Sequence, residues 1–315
     1  KPEKRKIIAR ERSYHGVTVA AASLTGLPVT QNHFDLPIDA LGILRTDHPH
    51  YYRGKLEGET ETQFVDRIVG NLESLIIAED PSTIATFIAE PITGASGVIV
   101  PPDGYYEGVQ NVLDKYGIMF WADEVITGFG RTGSDFGCTT MEIKAPDMMT
   151  FAKQLSSAYM PISASAIRRD VYEAMIDQSA AAGAFGHGYT YSGHPVACAV
   201  ALRVLQIYDR DEIFNRASTA GKYLQEQLSQ FSSHPLVGEV RGSGLLAALE
   251  LVPNKELNHQ FKDGKVGGVA QKMAQDNGLL IRTVAGSSIG ICPPLIITNN
   301  QIDELIDKLG DALDK

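Results

Sequence analysis

Asp123, in WADEV, and Lys153, in TFAKQ, lie 30 residues apart, and each closes an apolar run of the kind that forms strands. That separation suits two neighbouring strands with a loop between them. A carboxylate and an amine brought together in this way meet the demands of pyridoxal 5′-phosphate chemistry. The lysine forms a Schiff base with the cofactor aldehyde, while the carboxylate sits against the pyridine nitrogen and favours its protonated form by Coulomb attraction. Once an amino substrate displaces it, a neutral lysine carries a proton from the substrate carbon to the cofactor carbon. Plainer uses compete with this one. An acid closing a strand is often a helix N-cap or a solvated loop residue, and a lysine after an apolar strand often snorkels to water. The two residues alone leave both readings open.

Between them, Gly128, Gly130 and Gly133 spell G-x-G-x-x-G. A dinucleotide site needs a helix to open at the third glycine, so that its free N–H groups face a pyrophosphate. Gly133 leads instead into SDFGCTTMEIKAPD, which lacks helical apolar spacing, carries another glycine and soon reaches Pro146. The nucleotide reading therefore fails in context. His15 and His187 flank other polar motifs without ligand companions at suitable spacing, so no metal site is expected.

The elements that must position Asp123 and Lys153 alternate between short β-branched runs and longer helical patterns, the signature of an α/β fold with a mostly parallel sheet flanked by helices. Strands are predicted at 6–10, 83–92, 118–125, 147–153 and 161–167, and helices at 104–116 and from His194 to about Tyr208. In such sheets ligands gather beyond the carboxyl ends of the strands, which singles out Glu90, Asp123 and Lys153. Near Asp209 the texture changes. A charged helical stretch to Phe231 leads to the alternating VGEVRGSGLLAALELV, a helix near 266–277, a strand LLIRTV at 279–284 and a last helix after Thr298. We read residues 1–208 as a large cofactor-binding domain and 209–315 as a smaller C-terminal α+β domain.

The chain has 315 residues, 43% of them apolar, and a formal charge of −10. That balance argues against a nucleic-acid or anionic-membrane partner. No apolar stretch approaches the roughly 20 residues that span a bilayer. Three scattered cysteines give neither a disulfide framework nor a C-x-x-C pair and suggest a reducing, cytoplasmic location. The opening KPEKRKIIARERSYHG runs from charge straight into a strand, as a connector would, and suggests that residues upstream are missing.

With neighbouring residues included, the chain resembles the class III (omega) aminotransferases of the fold-type-I pyridoxal-phosphate superfamily. WADEVITGFGRTG followed by APDMMTFAK resembles the central signature, and SYHG, FIAEPITGASG, HGYTYSGHPVACA, LLIRTV and CPPLIIT extend the resemblance across the chain in order. The resemblance implies roles one residue at a time. Lys153 is the Schiff-base lysine and Asp123 the partner of the pyridine nitrogen. Val125 packs on one ring face, Tyr14 covers the other and borders the substrate, His15 joins the cofactor-binding group, and Glu90 helps orient the site. Thr190 reaches the phosphate of a cofactor held by a neighbouring subunit, which implies a homodimer, with a tetramer left open. Arg282 matches a mobile arginine that grips a keto-acid carboxylate and swings away for an apolar amine. The closest branch is the amine:pyruvate one. It implies ping-pong transfer of an amino group from a primary amine or ω-amino acid to a keto acid such as pyruvate. Alternatives are an acetylornithine-type transaminase, an aminomutase, or a fragment without a competent site, since the family's Gly-Ser phosphate turn upstream of SYHG is not in this sequence.

Overall fold

The computed structural model describes residues 3–255 and 265–315. Two sheets organise them. The larger contains β1 (Lys6–Arg10), β2 (Ile43–Thr46), β3 (Ile84–Ala89), β4 (Met119–Asp123), β5 (Met148–Phe151) and β6 (Ala164–Ile167), in the order β2-β1-β3-β4-β5-β6. The first five run parallel, and β6 returns antiparallel to β5. The smaller sheet is antiparallel and contains β7 (Val237–Ser243), β8 (Leu246–Leu251), β9 (Arg282–Val284) and β10 (Ser288–Ile291), in the order β7-β8-β10-β9.

The β3 sequence IATFIA is apolar on both faces because helices or loops cover both sides of a parallel sheet. On one face lie the helices Glu61–Ala78 and Tyr105–Tyr116. The first opens with a capping box in which Thr60 and Gln63 satisfy each other's backbone N–H, and it turns Phe64, Ile68, Leu72 and Ile76 toward the sheet. The second ends at Gly117, whose φ of +61° lets the chain reverse directly into β4. Phe87 and Phe120 stack between these helices and the strands with ring centroids 5.8 Å apart. A second core lies under the small sheet, where Leu224, Leu228, Leu249, Ile289, Ile302 and Leu309 meet. It also takes in Val204, Tyr208 and Phe129, which precede residue 209.

β1 spans the expected 6–10, whereas the other expected strands of the large sheet are shorter than their runs. Only Arg282–Val284 of the expected 279–284 strand is paired, and Leu280 is exposed. Elements outside the expectations from sequence include β2, whose run is only ILRT, β10, and the helices Val19–Leu24, Glu61–Ala78 and Arg169–Ala182.

One buried ionic group braces the small sheet against the helix Tyr51–Gly54. Glu250 on β8 receives Arg53 and Arg241, each at 2.9 Å, and the Ser288 hydroxyl at 2.8 Å. Burial alone would raise its pKa, but Arg241, Ser288 and Arg53 outweigh that and hold it at about 2. A depressed folded pKa contributes stability that is complete above the unfolded value and lost as pH falls through the folded one. The stability difference between the parent and Glu250→Gln, measured by urea midpoint, should therefore be largest above pH 5 and shrink steadily toward pH 2. A difference independent of pH over that range would show that the carboxylate charge is not what matters.

Candidate active site

Four parallel strands finish on the same edge of the large sheet and deliver the polar groups there. The chain leaves β1 through Ser13 into Tyr14 and His15, Glu90 comes directly after β3, Asp123 ends β4, and Lys153 stands two residues beyond β5. Asp123 is 6% exposed. Its Oδ2 lies 2.8 Å from His15 Nδ1, and its Oδ1 accepts the Val125 N–H at 3.1 Å. A carboxylate oxygen accepts here, so His15 donates from Nδ1 and turns Nε2 away from this contact. That Nε2 is buried and has no partner among the described residues.

Glu90 is also buried. Its Oε1 accepts the Tyr14 N–H at 3.0 Å and its Oε2 the Gly94 N–H at 2.9 Å, so it ties the segment after β1 to the loop after β3. Arg10 and the Tyr106 hydroxyl hold the Glu90 carbonyl from the other side, at 2.5 and 2.8 Å. Burial pushes the Glu90 carboxyl up, with Asp123 adding to the rise, against the stabilising His15 and the two N–H donors. Glu124, adjacent to Asp123, does different work. It accepts from Thr127 Oγ1 and from the N–H groups of Gly137 and Cys138, which fixes the turn.

Lys153 opens a short turn with φ +42°, a region that side-chain-bearing residues rarely occupy and that costs on the order of 1 kcal/mol or more. Its side chain is exposed toward a cavity, while the surrounding protein still desolvates it enough to lower its pKa. Asp123 and Glu90 oppose that fall, and Arg282 adds to it. The cavity measures about 420 Å³ and is lined by Tyr14, Lys153 and Arg282 together with Ile126, Arg131 and Cys292. A larger hollow of about 680 Å³, between Gly278 and Lys308, contains neither Lys153 nor Arg282.

The structure thus brings Tyr14, Lys153 and Arg282 onto one wall system, with Glu90 gripping two of its backbone segments and Asp123 acting on Lys153 through its charge. Val125 is only half-buried and is not a lining residue. Thr190 lies on an exposed turn, outside this cavity and between Tyr189 and Tyr191, which are both exposed. Sequence reasoning missed Arg131 and Cys292. Arg131 stands inside a glycine motif whose spacing points only toward nucleotides, and Cys292 reaches the cavity from the small sheet, a meeting that no local pattern signals.

A profile described as aminotransferase class-III matches residues 1–313. The chain belongs to the class-III aminotransferase family. It is 49% identical over 314 residues to the "Probable gamma-aminobutyrate transaminase 3, mitochondrial" of Oryza sativa subsp. indica, covering 99% of this chain and 61% of that protein. The "Gamma aminobutyrate transaminase 1, mitochondrial" of Solanum lycopersicum is equally similar, with 60% of its length covered. The chain therefore spans about three fifths of the length of these relatives. Among solved structures it superposes with a TM-score of 0.97 and 49% identity on a "Transaminase with L-ala", covering 99% of this chain and 73% of that one. For the omega transaminase from Pseudomonas jessenii in complex with PMP the TM-score is 0.96 and the identity 48%, with 99% and 68% covered. The two sheets match this fold-type-I architecture, a large mixed sheet with flanking helices and a small antiparallel one. Among the described residues no helix is long and apolar enough to cross a membrane.

Proposed function

We propose that this chain carries the core of a pyridoxal-phosphate-dependent aminotransferase. It would move an amino group from a primary amine or ω-amino acid to a keto acid, with pyruvate as the favoured acceptor. The observation that carries the reading is the convergence of Lys153, Tyr14 and Arg282 on one cavity, with Asp123 fixed by His15. The residues fit the cofactor on their own chemistry. A buried carboxylate has both oxygens held, a histidine nitrogen lies buried without a partner, and an amine has a lowered pKa. When bound, pyridoxal phosphate supplies an aldehyde for that amine and a sink for carbanion electrons.

Each residue then has a physical task. The lowered pKa of Lys153 enlarges its neutral fraction, so that Nζ takes a proton from substrate and returns it one position away. Asp123 holds a positive charge on the pyridine nitrogen. Tyr14 presents an aromatic face, and Glu90 keeps its backbone in place. Arg282, exposed on a short edge strand, grips a carboxylate with two parallel hydrogen bonds and has room to leave. Relatives named for gamma-aminobutyrate, itself an ω-amino acid, support that donor class.

We further propose a homodimer in which Thr190 serves the partner's phosphate. The exposed Phe185, Tyr189 and Tyr191 near it in sequence support this reading. The division into domains at 208/209 is our reading of where the charged helices begin, and a cytoplasmic location that of the three unpaired cysteines, although relatives are named mitochondrial.

The deciding experiment is to mix the protein with pyridoxal phosphate, reduce with borohydride and map the adduct by peptide mass. An adduct confined to Lys153 is expected, and labelling scattered over surface lysines would refute the reading. Arg282→Ala should raise KM for the keto acid at least about tenfold through loss of a bidentate charged contact, while a carboxyl-free amine changes little. Equal losses for both substrates in steady-state assays would count against a switching arginine.

A further inference from the structure

The G-x-G-x-x-G turn joins the two sheets, and Arg131 within it also reaches the cavity. Arg131 is 4% exposed. Its Nη1 donates to the Pro293 carbonyl at 2.5 Å and the Leu245 carbonyl at 3.1 Å, and its own carbonyl accepts the Leu245 N–H at 3.0 Å. Beside it the Ser243 hydroxyl donates to the Thr132 carbonyl at 3.0 Å. The approach is close enough to exclude side chains. A Cβ on Gly244 would lie 2.3 Å from the Thr132 carbonyl carbon, and one on Gly130 would lie 2.8 Å from the Phe214 ring. Gly130, within the motif, makes room for the Phe214 ring, and Gly244, outside it, lets one backbone dock on another.

Arg131 forms no ion pair with an acid among the described residues, although burying an uncompensated guanidinium is costly. Its partners are carbonyls from two separate segments of the small-sheet unit. One of them, Pro293, comes directly after Cys292, which lines the cavity. Three residues before Pro293, Gly290 is the ladder partner of Arg282. A short, continuous path therefore runs from the turn beyond Asp123 to the strand that bears Arg282.

We propose that Arg131 is a positioning residue: it ties the turn beyond β4 to the Cys292–Pro293 bend and so sets how far the Arg282 edge stands from Lys153. The tether follows from geometry alone. Its kinetic consequence rests on the aminotransferase reading above. A rigid planar fork suits the task, because it meets both carbonyls without adjustment, whereas a lysine offers a single mobile charge.

The test uses the whole chain with Arg131→Met and Arg131→Lys, followed by hydrogen exchange and steady-state kinetics. In Arg131→Met, amide exchange across residues 288–297 should accelerate about tenfold or more, the loss expected for a charged hydrogen bond, while β1–β5 stay as in the parent. Arg131→Lys should recover part of the protection. KM for the keto acid should rise by a similar factor, with KM for a carboxyl-free amine within about twofold. Unchanged exchange over 288–297, or equal acceleration throughout both sheets, would overturn the tether. If Arg131→Met does not fold, the same comparison is made on Arg131→Lys. Confined loosening with an unaltered keto-acid KM in an active parent would overturn the distance-setting role. An inactive parent would count against the aminotransferase reading while the exchange result still decides the tether.

Discussion

Lys153→Ala should lower turnover at least ~10⁴-fold, because the one amine that both anchors the cofactor and moves the proton disappears. No neighbouring group replaces it. The other basic side chains on the cavity wall are guanidiniums, which have no primary amine to offer a carbonyl. The fold should survive, since Lys153 makes no side-chain hydrogen bond among the described residues and alanine inherits the same strained backbone. Single-turnover measurement with an amino donor, alongside circular dichroism and the thermal midpoint, would check both halves of this expectation. Retention of the parent rate would end the assignment of Lys153, and with it the proposed chemistry.

Asp123→Asn should leave a folded protein that has lost on the order of 10²–10⁴ in rate. Three effects follow, of which the first and third lower the rate and the second moves its pH dependence. A neutral amide no longer favours a protonated pyridine nitrogen. The largest of the attractions that hold up the Lys153 pKa also disappears, so the amine falls further below its ordinary value. Finally, an amide can offer His15 either an oxygen or an NH₂, which leaves the imidazole tautomer unfixed where the carboxylate had set it at 2.8 Å. The pH–rate profile separates these effects from simple unfolding. Its limb assigned to Lys153 should move to lower pH in the variant, and an unmoved limb at the parent rate would contradict the role.

Much of this site is legible in the chain because parallel strands sort residues by position. A polar residue that ends an apolar β-branched run is carried to the ligand edge of the sheet, and Glu90, Asp123 and Lys153 stand out on that ground alone. The resemblance to a family adds Tyr14, His15 and Arg282, whose proximity depends on loops and on a second sheet. The parts that stay hidden fall into two kinds. The helix Glu61–Ala78 announces itself with TETQ, a capping box that the search for strand ends does not notice. Arg131, Cys292 and the division of labour between Asp123 and Glu124 are hidden for a stronger reason. Neighbours in sequence face opposite sides of a strand end, and residues more than a hundred positions apart meet in the cavity, so no local pattern encodes either.

The helix Arg169–Ala182 has 14 residues and buries none of them against its own chain. Isolated helices of about 12–15 residues are marginal in water, and the described residues give this one little apolar cover. If a second copy covers it, mass action governs this segment. Dilution then acts on it as a local denaturant: the same sequence in the same buffer would carry a well-formed helix when concentrated and a fraying one when scarce.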